Sequence, residues 1–538
     1  MIPKSFRRDA RLKTALRLSS IVVAAATAIA LAGCGSSTPS STSNSSTPKA
    51  GGSLTVLEGD SFAGSWPGLD PATDTDGAAN MSYMDSIYGE LFELTAGGKT
   101  TGDLATGYSF TNGGKTVVIN LRQGVKFSDG TTFNAAAVVY NWKRDLTATC
   151  TCKPVFLSTP TITATGPYQV TLSLSYVDAP FINALQGSVM NWIASPTAIQ
   201  TMGETAFALK PVGAGPFIVE KDVPDSELVL KKNPNYWQKG LPYLNNLTFK
   251  SVSSDESALT AMEAGSGQAY EGMSTPQLVS AFKAKFQTTP EPSTSPYDIQ
   301  LNTKIAPFNN KIAREAIYYA TDAALLDKSL FGDTYPVGES FTAPAGLFYE
   351  QNVPGYITYD LAKAKALVKS IPGGLSFQLG TISVPTATEM DEAIQTEWEA
   401  AGMHVTLASW DLTGLIGAFT GGKWQSMLQT AGAYDPGTGV GVCFRFCSTS
   451  PFTGVWDTHL NNLLIAAAGT TNQATRKSLY DQAAAYIAVN AYGPFLFPIA
   501  GYNIADHGVG GPGLNSPLPV TDVNPEILWQ YVYNDNNA

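Results

Sequence analysis

The N-terminal segment constrains the fold most, because it takes residues 1–33 out of any globular core. An uncharged, apolar run at 18–31 follows six basic residues, which are Lys4, Arg7, Arg8, Arg11, Lys13 and Arg17. A basic region followed by such a run is typical of an export signal. The run is also too short and too rich in Ala, Ser and Thr to predict a membrane span. We therefore expect residues 1–33 to be a signal peptide.

The apolar run ends in the sequence Leu31-Ala32-Gly33-Cys34. This sequence resembles the bacterial lipobox, in which the cysteine is lipidated and becomes the mature N-terminus; the alternative is an ordinary signal peptide that contains a cysteine. Residues 35–50 have no large apolar side chain, and this composition is typical of a flexible tether. We expect residues 34–50 to join a lipid anchor at Cys34 to a body held at the extracytoplasmic face of the cell membrane, in the periplasmic space or at the outer surface.

Length and charge restrict the class of the remaining chain. The protein has 538 residues and a net charge of −11, and its leader is basic, so the exported part is more acidic still. An acidic surface argues against nucleic acid or an anionic lipid surface as a partner. A chain of this length is too long for one hydrophobic core, so two or more domains are expected.

Helix and strand patterns alternate along the chain, which predicts an α/β protein with mixed sheets flanked by helices. A turn at 224–226 between strand patterns predicts a hairpin at 217–231. Apolar periodicity predicts one helix at 81–94 and one long helix at 311–330, and an apolar run predicts a buried strand at 494–499.

Four cysteines besides Cys34 form two close pairs, Cys150 with Cys152 and Cys443 with Cys447. Thiols outside the cytoplasm tend to oxidise, and four cysteines allow three connectivities. We favour a Cys443–Cys447 bridge, because a separation of four residues closes a small loop, whereas a direct bridge between the other two would be tight. A zinc site built from all four cysteines is the alternative.

Two common hydrolase motifs are missing from the sequence. It contains neither a Gly-x-Ser-x-Gly elbow nor a His-Glu-x-x-His helix. His404, His459 and His507 have no metal-ligating residue at a suitable short spacing. We therefore predict no catalytic residue, no metal site and no cofactor.

Four groups of motifs identify a family. They are LDP (69–71) with IYGELF (87–92), LRQGVKFSDG (121–130), PVGAGPF (211–217) with NPNYW (233–237), and NT, PF, AREA and YATD (302–303, 307–308, 313–316 and 319–322). In order and spacing they resemble the family 5 solute-binding proteins of ABC importers, the peptide, dipeptide and nickel class. The resemblance extends from about residue 51 to the C-terminus.

This resemblance implies a two-lobed periplasmic-binding-protein fold of type II, in its large class with an inserted subdomain. Lobe I would comprise 51–295 and 500–538, with the subdomain at about 86–204, and lobe II would comprise 296–499. The resemblance also implies a monomer that captures a small solute, most readily a peptide, in the interlobe cleft and delivers it to membrane permease subunits. The alternatives are an oligosaccharide or another non-peptide solute, or a sensory or scaffold role without transport.

The resemblance also points to residues that line the cleft. In peptide-binding relatives, a carboxylate three residues before an Asp-Pro pair holds the ammonium group of the peptide. Here the pair is Asp435-Pro436, preceded by Gly432, Ala433 and Tyr434, so glycine occupies the position of the anchor. We expect this stretch to contact the solute, with Asp435 as a substitute anchor.

Aromatic side chains stack on sugar rings and apolar groups, which makes Trp424, Tyr434 and Trp456 candidate ligand contacts. Asp76 follows the LDP loop, which approaches the cleft in relatives, and is a further candidate.

Overall fold

The structure is a computed structural model, and it describes residues 48–59, 68–74, 81–95, 99–148, 161–186, 188–430, 433–439, 441–499, 501–518 and 527–538. The signal peptide, Cys34, Asp76, Cys150, Cys152 and Gly432 therefore lie outside the described residues. Within those ranges, no helix combines the length and the apolar character needed to cross a membrane.

Strands and helices alternate through the described chain, as the sequence predicts. The strands are β1 (Ser53–Glu58), β2 (Phe92–Leu94), β3 (Thr100–Gly102), β4 (Ala105–Thr111), β5 (Thr116–Leu121), β6 (Thr161–Gly166), β7 (Gln169–Ser173), β8 (Phe217–Val223), β9 (Glu227–Lys232), β10 (Asn246–Ser251), β11 (Ala269–Met273), β12 (Gln287–Pro290), β13 (Tyr297–Leu301), β14 (Ser376–Ile382), β15 (His404–Trp410), β16 (Ser426–Thr430), β17 (Tyr502–Ala505), β18 (Val509–Gly510) and β19 (Tyr533–Asn534). The α-helices are α1 (Met81–Tyr88), α2 (Ala135–Thr147), α3 (Phe181–Leu185), α4 (Pro196–Met202), α5 (Glu204–Leu209), α6 (Asp255–Glu263), α7 (Val279–Lys283), α8 (Lys311–Ala320), α9 (Ala323–Phe331), α10 (Leu361–Ser370), α11 (Pro385–Ala400), α12 (Leu412–Gly421), α13 (Val442–Phe446), α14 (Thr458–Ala468) and α15 (Gln473–Asn490).

The largest sheet, sheet 1, has the strand order β12-β17-β11-β1-β10-β9-β8. Its central strand β1 is parallel to both neighbours, and β17 runs antiparallel between β11 and β12. The carboxyl ends of β1, β11 and β12 therefore lie at the same edge as the amino end of β17. The predicted hairpin is present as the antiparallel pair β8 and β9.

A second sheet, sheet 2, has the order β13-β16-β14-β15. β14 is parallel to β15 and β16, whereas β13 is antiparallel to β16. The register pairs Tyr297 with Thr430 at one end and Leu301 with Ser426 at the other. The amino end of β13 and the carboxyl end of β16 thus share an edge.

A third sheet, with the order β4-β5-β7-β6, is antiparallel throughout and lies within the predicted inserted subdomain. One hydrophobic cluster joins this region to sheet 1, and a separate cluster packs sheet 2 against helices that include α8, α10 and α11. The helices α13, α14 and α15 share another cluster. The chain therefore builds several cores, as its length predicts.

The family motifs pack against one another. The backbone N–H of Gly215 donates to the Ile87 carbonyl at 3.0 Å, and a Cβ at Gly213 would collide with that carbonyl. The N–H of Ser128 donates in turn to the Gly213 carbonyl at 2.9 Å. Glycine is required here because two backbone segments approach too closely for a side chain.

Two helix predictions are wrong in extent. The helix predicted at 81–94 ends at Tyr88, because Gly89 takes a left-handed conformation with φ of 64°, and β2 follows. The helix predicted at 311–330 is two helices. Thr321 is extended between them, and the Asp322 side chain caps α9 by accepting from Leu325 N at 3.0 Å.

The strand predicted at 494–499 is also wrong. This segment contacts β13 through an isolated bridge between Asp298 and Phe495 and through backbone hydrogen bonds at Tyr297. Pro494 and Pro498 lack the N–H groups that a regular ladder needs, so the segment pairs irregularly.

Candidate functional site

Sheets 1 and 2 are joined by two chain crossings at one edge, which we call the crossing edge. The chain leaves sheet 1 after β12 to enter β13, and it returns to sheet 1 at β17. The two crossings lie side by side, because Glu291 N donates to Gly501 O at 3.0 Å. In open α/β sheets, ligands bind beyond the carboxyl ends of the strands. In sheet 1, the carboxyl ends of β1, β11 and β12 lie at the crossing edge.

Three glutamates lie at the crossing edge of sheet 1. Glu58 ends β1 and pairs in register with Glu271 on β11, and Glu291 directly follows β12. Their residues are 7%, 7% and 3% exposed. The carboxylate of Glu291 lies over Gly501, where an added Cβ would come within 2.9 Å of its Oε2.

The three carboxyl groups have few partners. Ser82 Oγ donates to Glu271 Oε1, and Glu58 and Glu271 share a hydrogen bond. Each carboxyl group nevertheless keeps one oxygen, on Glu58 Oε1, Glu271 Oε2 and Glu291 Oε1, without a hydrogen-bond partner among the described residues. No lysine or arginine in the described ranges forms an ion pair with any of the three.

This environment makes ionisation of the carboxyl groups costly. Burial raises the pKa of Glu58 well above its ordinary value, and the charges of Glu271 and Glu291 raise it further. Burial also raises the pKa of Glu271 from 4.5 to about 7, and burial followed by the charge of Glu271 raises the pKa of Glu291. A cation that entered this site would replace lost hydration and offset the mutual repulsion.

The unpartnered carboxylate oxygens are suited to an organic cation. In the described part of the chain, no group of three or more His, Cys, Asp or Glu side chains is arranged to hold a metal. An ammonium group needs only acceptors at hydrogen-bond distance, which the unpartnered carboxylate oxygens supply.

Asp435, the anchor suggested by the sequence, is occupied by other donors. Its carboxylate accepts from Arg476 Nη2 at 2.7 Å and Nη1 at 3.0 Å, from Asn183 Nδ2 at 2.8 Å and from Gly437 N at 2.9 Å. Both members of the ion pair are fully buried. Four donors fill the capacity of one carboxylate, so Asp435 has no position left for a solute ammonium.

The Asp435 carboxylate instead joins two regions of the fold. Asn183 belongs to α3 in the predicted subdomain, whereas Arg476 belongs to α15. Nearby, Ala179 N donates to Ala468 O at 2.9 Å, which makes a second link between the same regions. In the structure Asp435 is thus one half of a structural ion pair, and its expected role as a ligand anchor stays a prediction.

The structure places Tyr434 apart from the other two predicted aromatic contacts. Trp424 precedes β16, and its backbone carbonyl accepts from Asn302 Nδ2 at 2.9 Å, at the edge of sheet 2 opposite the crossings. Trp456 lies near the same edge, with the Lys304 ammonium 3.7 Å from its ring centroid. Tyr434 follows the other end of β16, about 16 Å of extended strand away.

Trp424 and Tyr434 are mainly packed against protein. Trp424 is 5% exposed and contacts Phe419 edge to face, with ring centroids 5.2 Å apart. Ala433 and Tyr434 are also buried, and the Tyr434 carbonyl accepts from Leu347 N at 2.8 Å.

In the structure, Cys443 and Cys447 form a disulfide across the short helix α13, the pairing that the sequence favours.

Sequence reasoning missed the three glutamates of the crossing edge. A usable signal was present, since Glu58 and Glu271 each sit in an apolar strand and Glu291 stands in the Pro- and Ser-rich crossing. An acidic residue at the carboxyl end of a buried strand points towards the edge where ligands bind.

Comparisons with known proteins identify the family. Residues 99–449 match the model for bacterial extracellular solute-binding proteins, family 5 Middle. The glutathione-binding protein GsiB of Salmonella typhi is 30% identical over 363 residues, which cover 66% of this chain and 70% of that protein.

Solved structures show the same fold. The periplasmic binding protein DppA of Helicobacter pylori, in complex with the peptide STSA, superposes with a TM-score of 0.74 at 21% identity over 90% of this chain and 99% of that one. The dipeptide binding protein of Pseudoalteromonas sp. SM9913, in complex with Met-Leu, gives 0.72 at 19% identity over 88% and 100%. These likenesses confirm the predicted periplasmic-binding fold, and the family match confirms a binding protein rather than an enzyme. The chain belongs to family 5 of the bacterial extracellular solute-binding proteins.

Proposed function

We propose that this protein is the solute-binding component of an ABC importer and that its solute is a short peptide with a free ammonium group. Three relatives support the class of solute. GsiB is named for glutathione, and the two superposed proteins hold the peptide STSA and the dipeptide Met-Leu. Each of these molecules carries an ammonium group and a carboxylate.

The observation that carries the proposal is the set of three buried, unpaired carboxyl groups at the crossing edge. Glu58, Glu271 and Glu291 lack a cation among the described residues, and burying charges unpaired is costly. We infer that the peptide ammonium binds these carboxylates. The anchor would then be on the sheet 1 side of the cleft, and Gly432 and Asp435 would not need to supply it.

The arrangement of the chain fits capture and delivery outside the cytoplasm. We propose that lobe I comprises 51–295 and 500–538, with its subdomain at about 86–204, and that lobe II comprises 296–499. A lipid on Cys34 and the tether at 34–50 would hold this monomer near the permease. Closure about the two crossings would enclose the solute.

The test is calorimetric titration of the purified protein with Met-Leu and with N-acetyl-Met-Leu, which lacks the ammonium group. We expect Met-Leu to bind and the acetylated form to bind ten- to a hundredfold more weakly, as for a lost charged hydrogen bond. Glu291→Gln should weaken Met-Leu at least tenfold. Glu256→Gln, an exposed glutamate on α6, is the matched control and should leave the affinity unchanged.

Equal affinity for the two dipeptide forms would contradict an ammonium anchor. Binding of maltotetraose by a protein that ignores Met-Leu, glutathione and longer peptides would contradict the peptide assignment. That result would favour the non-peptide alternative.

A further inference from the structure

A cavity of about 830 Å³ lies between the subdomain and the helices α13 and α14. Its lining includes Asp178, Thr438, Phe444, Phe452 and Ala468. This volume is in the range of pockets that enclose drug-sized ligands. Glu58, Glu271 and Glu291 are not among the residues that line this cavity.

Two residues that line the cavity, Asp178 and Thr438, each have a side-chain oxygen without a hydrogen-bond partner among the described residues. Asp178, on the subdomain side, is 2% exposed, and its Oδ1 has no hydrogen-bond partner among the described residues. Thr438, in the loop after Asp435, is 5% exposed, and its Oγ1 also lacks a partner in the described ranges. A buried polar atom without a partner costs free energy, so both groups favour a ligand that satisfies them.

The charge at Asp178 favours a cationic group. Burial and then the charge of Asp435 raise the pKa of Asp178, and the charge of Arg476 lowers it, so that the pKa is about 7. Arg476 does not neutralise Asp178, because both of its terminal nitrogens are hydrogen-bonded to the Asp435 carboxylate. A ligand ammonium would stabilise ionised Asp178 in a way that the protein itself does not.

The remaining walls are apolar and aromatic. The rings of Phe444 and Phe452 stack with their centroids 4.4 Å apart, and the disulfide cysteine Cys443 lines the cavity beside them. Such walls bind an aromatic or aliphatic group through buried apolar area. The cavity is thus apolar over most of its wall and has two polar atoms for one end of a ligand.

We propose that this cavity is a second ligand site, which binds a small primary amine with an apolar body. The ammonium donates to Asp178 Oδ1 and Thr438 Oγ1, and the apolar body lies against Phe444 and Phe452. Because the two polar groups come from different regions of the fold, the amine links the subdomain to the lobe II side. This site does not depend on the peptide function of the crossing edge.

The test uses 2-phenylethylamine and its neutral analogue 2-phenylethanol as probes, titrated into the purified protein by calorimetry. We expect the amine to bind at least tenfold more tightly than the alcohol. Asp178→Asn should weaken the amine ten- to a hundredfold and leave Met-Leu unaffected. Asp225→Asn, the same substitution at an exposed turn, is the matched control. Ala468→Leu should weaken both probes by filling the cavity.

Three outcomes would overturn the proposal. They are the absence of saturable amine binding at millimolar concentration, equal amine affinity in the Asp178→Asn variant, and loss of amine binding in the Glu291→Gln variant. The last would place the amine at the crossing edge. Amine binding without Met-Leu binding would support the second site while contradicting the peptide function.

Discussion

Replacement of Glu271 by glutamine should make the protein more stable at pH 8 and leave its stability near that of the wild type at pH 5. Burial holds the pKa of Glu271 at about 7, against 4.5 for an ordinary glutamate. Between these two values the folded protein keeps a proton that the unfolded chain has released. Stability from this group is therefore present below about pH 4.5 and is lost as the pH rises to about 7.

The magnitude follows from the size of the shift. One pKa unit corresponds to about 1.4 kcal/mol, so the shift of Glu271 destabilises the folded state by about 3 kcal/mol once the pH exceeds 7. Glutamine keeps the shape of the side chain and cannot ionise. It also removes a charge that raises the pKa of Glu58 and Glu291, which adds stability in the same direction.

The assay is urea unfolding of the wild type and the Glu271→Gln variant at pH 5 and pH 8. The comparison uses the difference between the two proteins, because other buried carboxyl groups, such as those of Asp103 and Asp391, also have raised pKa values. Glu256→Gln, an exposed position, should show no dependence of this difference on pH. A Glu271→Gln effect of the same size at both pH values would refute the reasoning.

Three further predictions concern other parts of the molecule. Arg476→Met should cost about 3–5 kcal/mol of unfolding free energy in urea, because it leaves Asp435 buried and unpaired, and Arg476→Met with Asp435→Leu should recover most of it; equal stability of the single and double variants would contradict this. Trp424→Ala should cost about 3–5 kcal/mol of stability as a core truncation and leave the Met-Leu affinity measured by calorimetry unchanged, whereas a selective loss of affinity would return Trp424 to the site. Cys34→Ala should move the protein from the membrane fraction to the soluble fraction on immunoblots of fractionated cells, and continued membrane retention would argue against the lipid anchor.

Local sequence signals predicted the elements better than their ends. The hairpin of β8 and β9 follows from turn chemistry that acts over a few residues. The break between α8 and α9 was missed, because apolar periodicity continues through Thr321 and Asp322. The capping preference of Asp322 outweighs that periodicity, and Glu397 further secures the break by accepting from Asp322 N at 2.9 Å.

The candidate site was harder to predict, because its residues are brought together by topology. Glu58, Glu271 and Glu291 are far apart in the chain, and only the parallel order of β1, β11 and β12 places their carboxyl groups at one edge. The Asp-Pro pair, by contrast, is conspicuous in the sequence. Its carboxylate is nevertheless paired with Arg476, which is 41 residues later in the chain. No local sequence pattern at Arg476 indicates that it pairs with Asp435.

The two carboxylate environments differ in what the protein itself supplies, and this difference argues for their different roles. Asp435 receives a guanidinium, an amide and a backbone N–H, so its charge is satisfied within the fold. Among the three glutamates, Glu271 accepts from a serine hydroxyl and shares a hydrogen bond with Glu58. No cation among the described residues pairs with any of the three. Burying carboxylate charges without a partner lowers the stability of the folded protein when no solute is bound. A cationic solute bound at the crossing edge would offset that loss of stability. Because Glu291 lies on a crossing itself, a solute bound there as proposed would sit where the two sheets are joined.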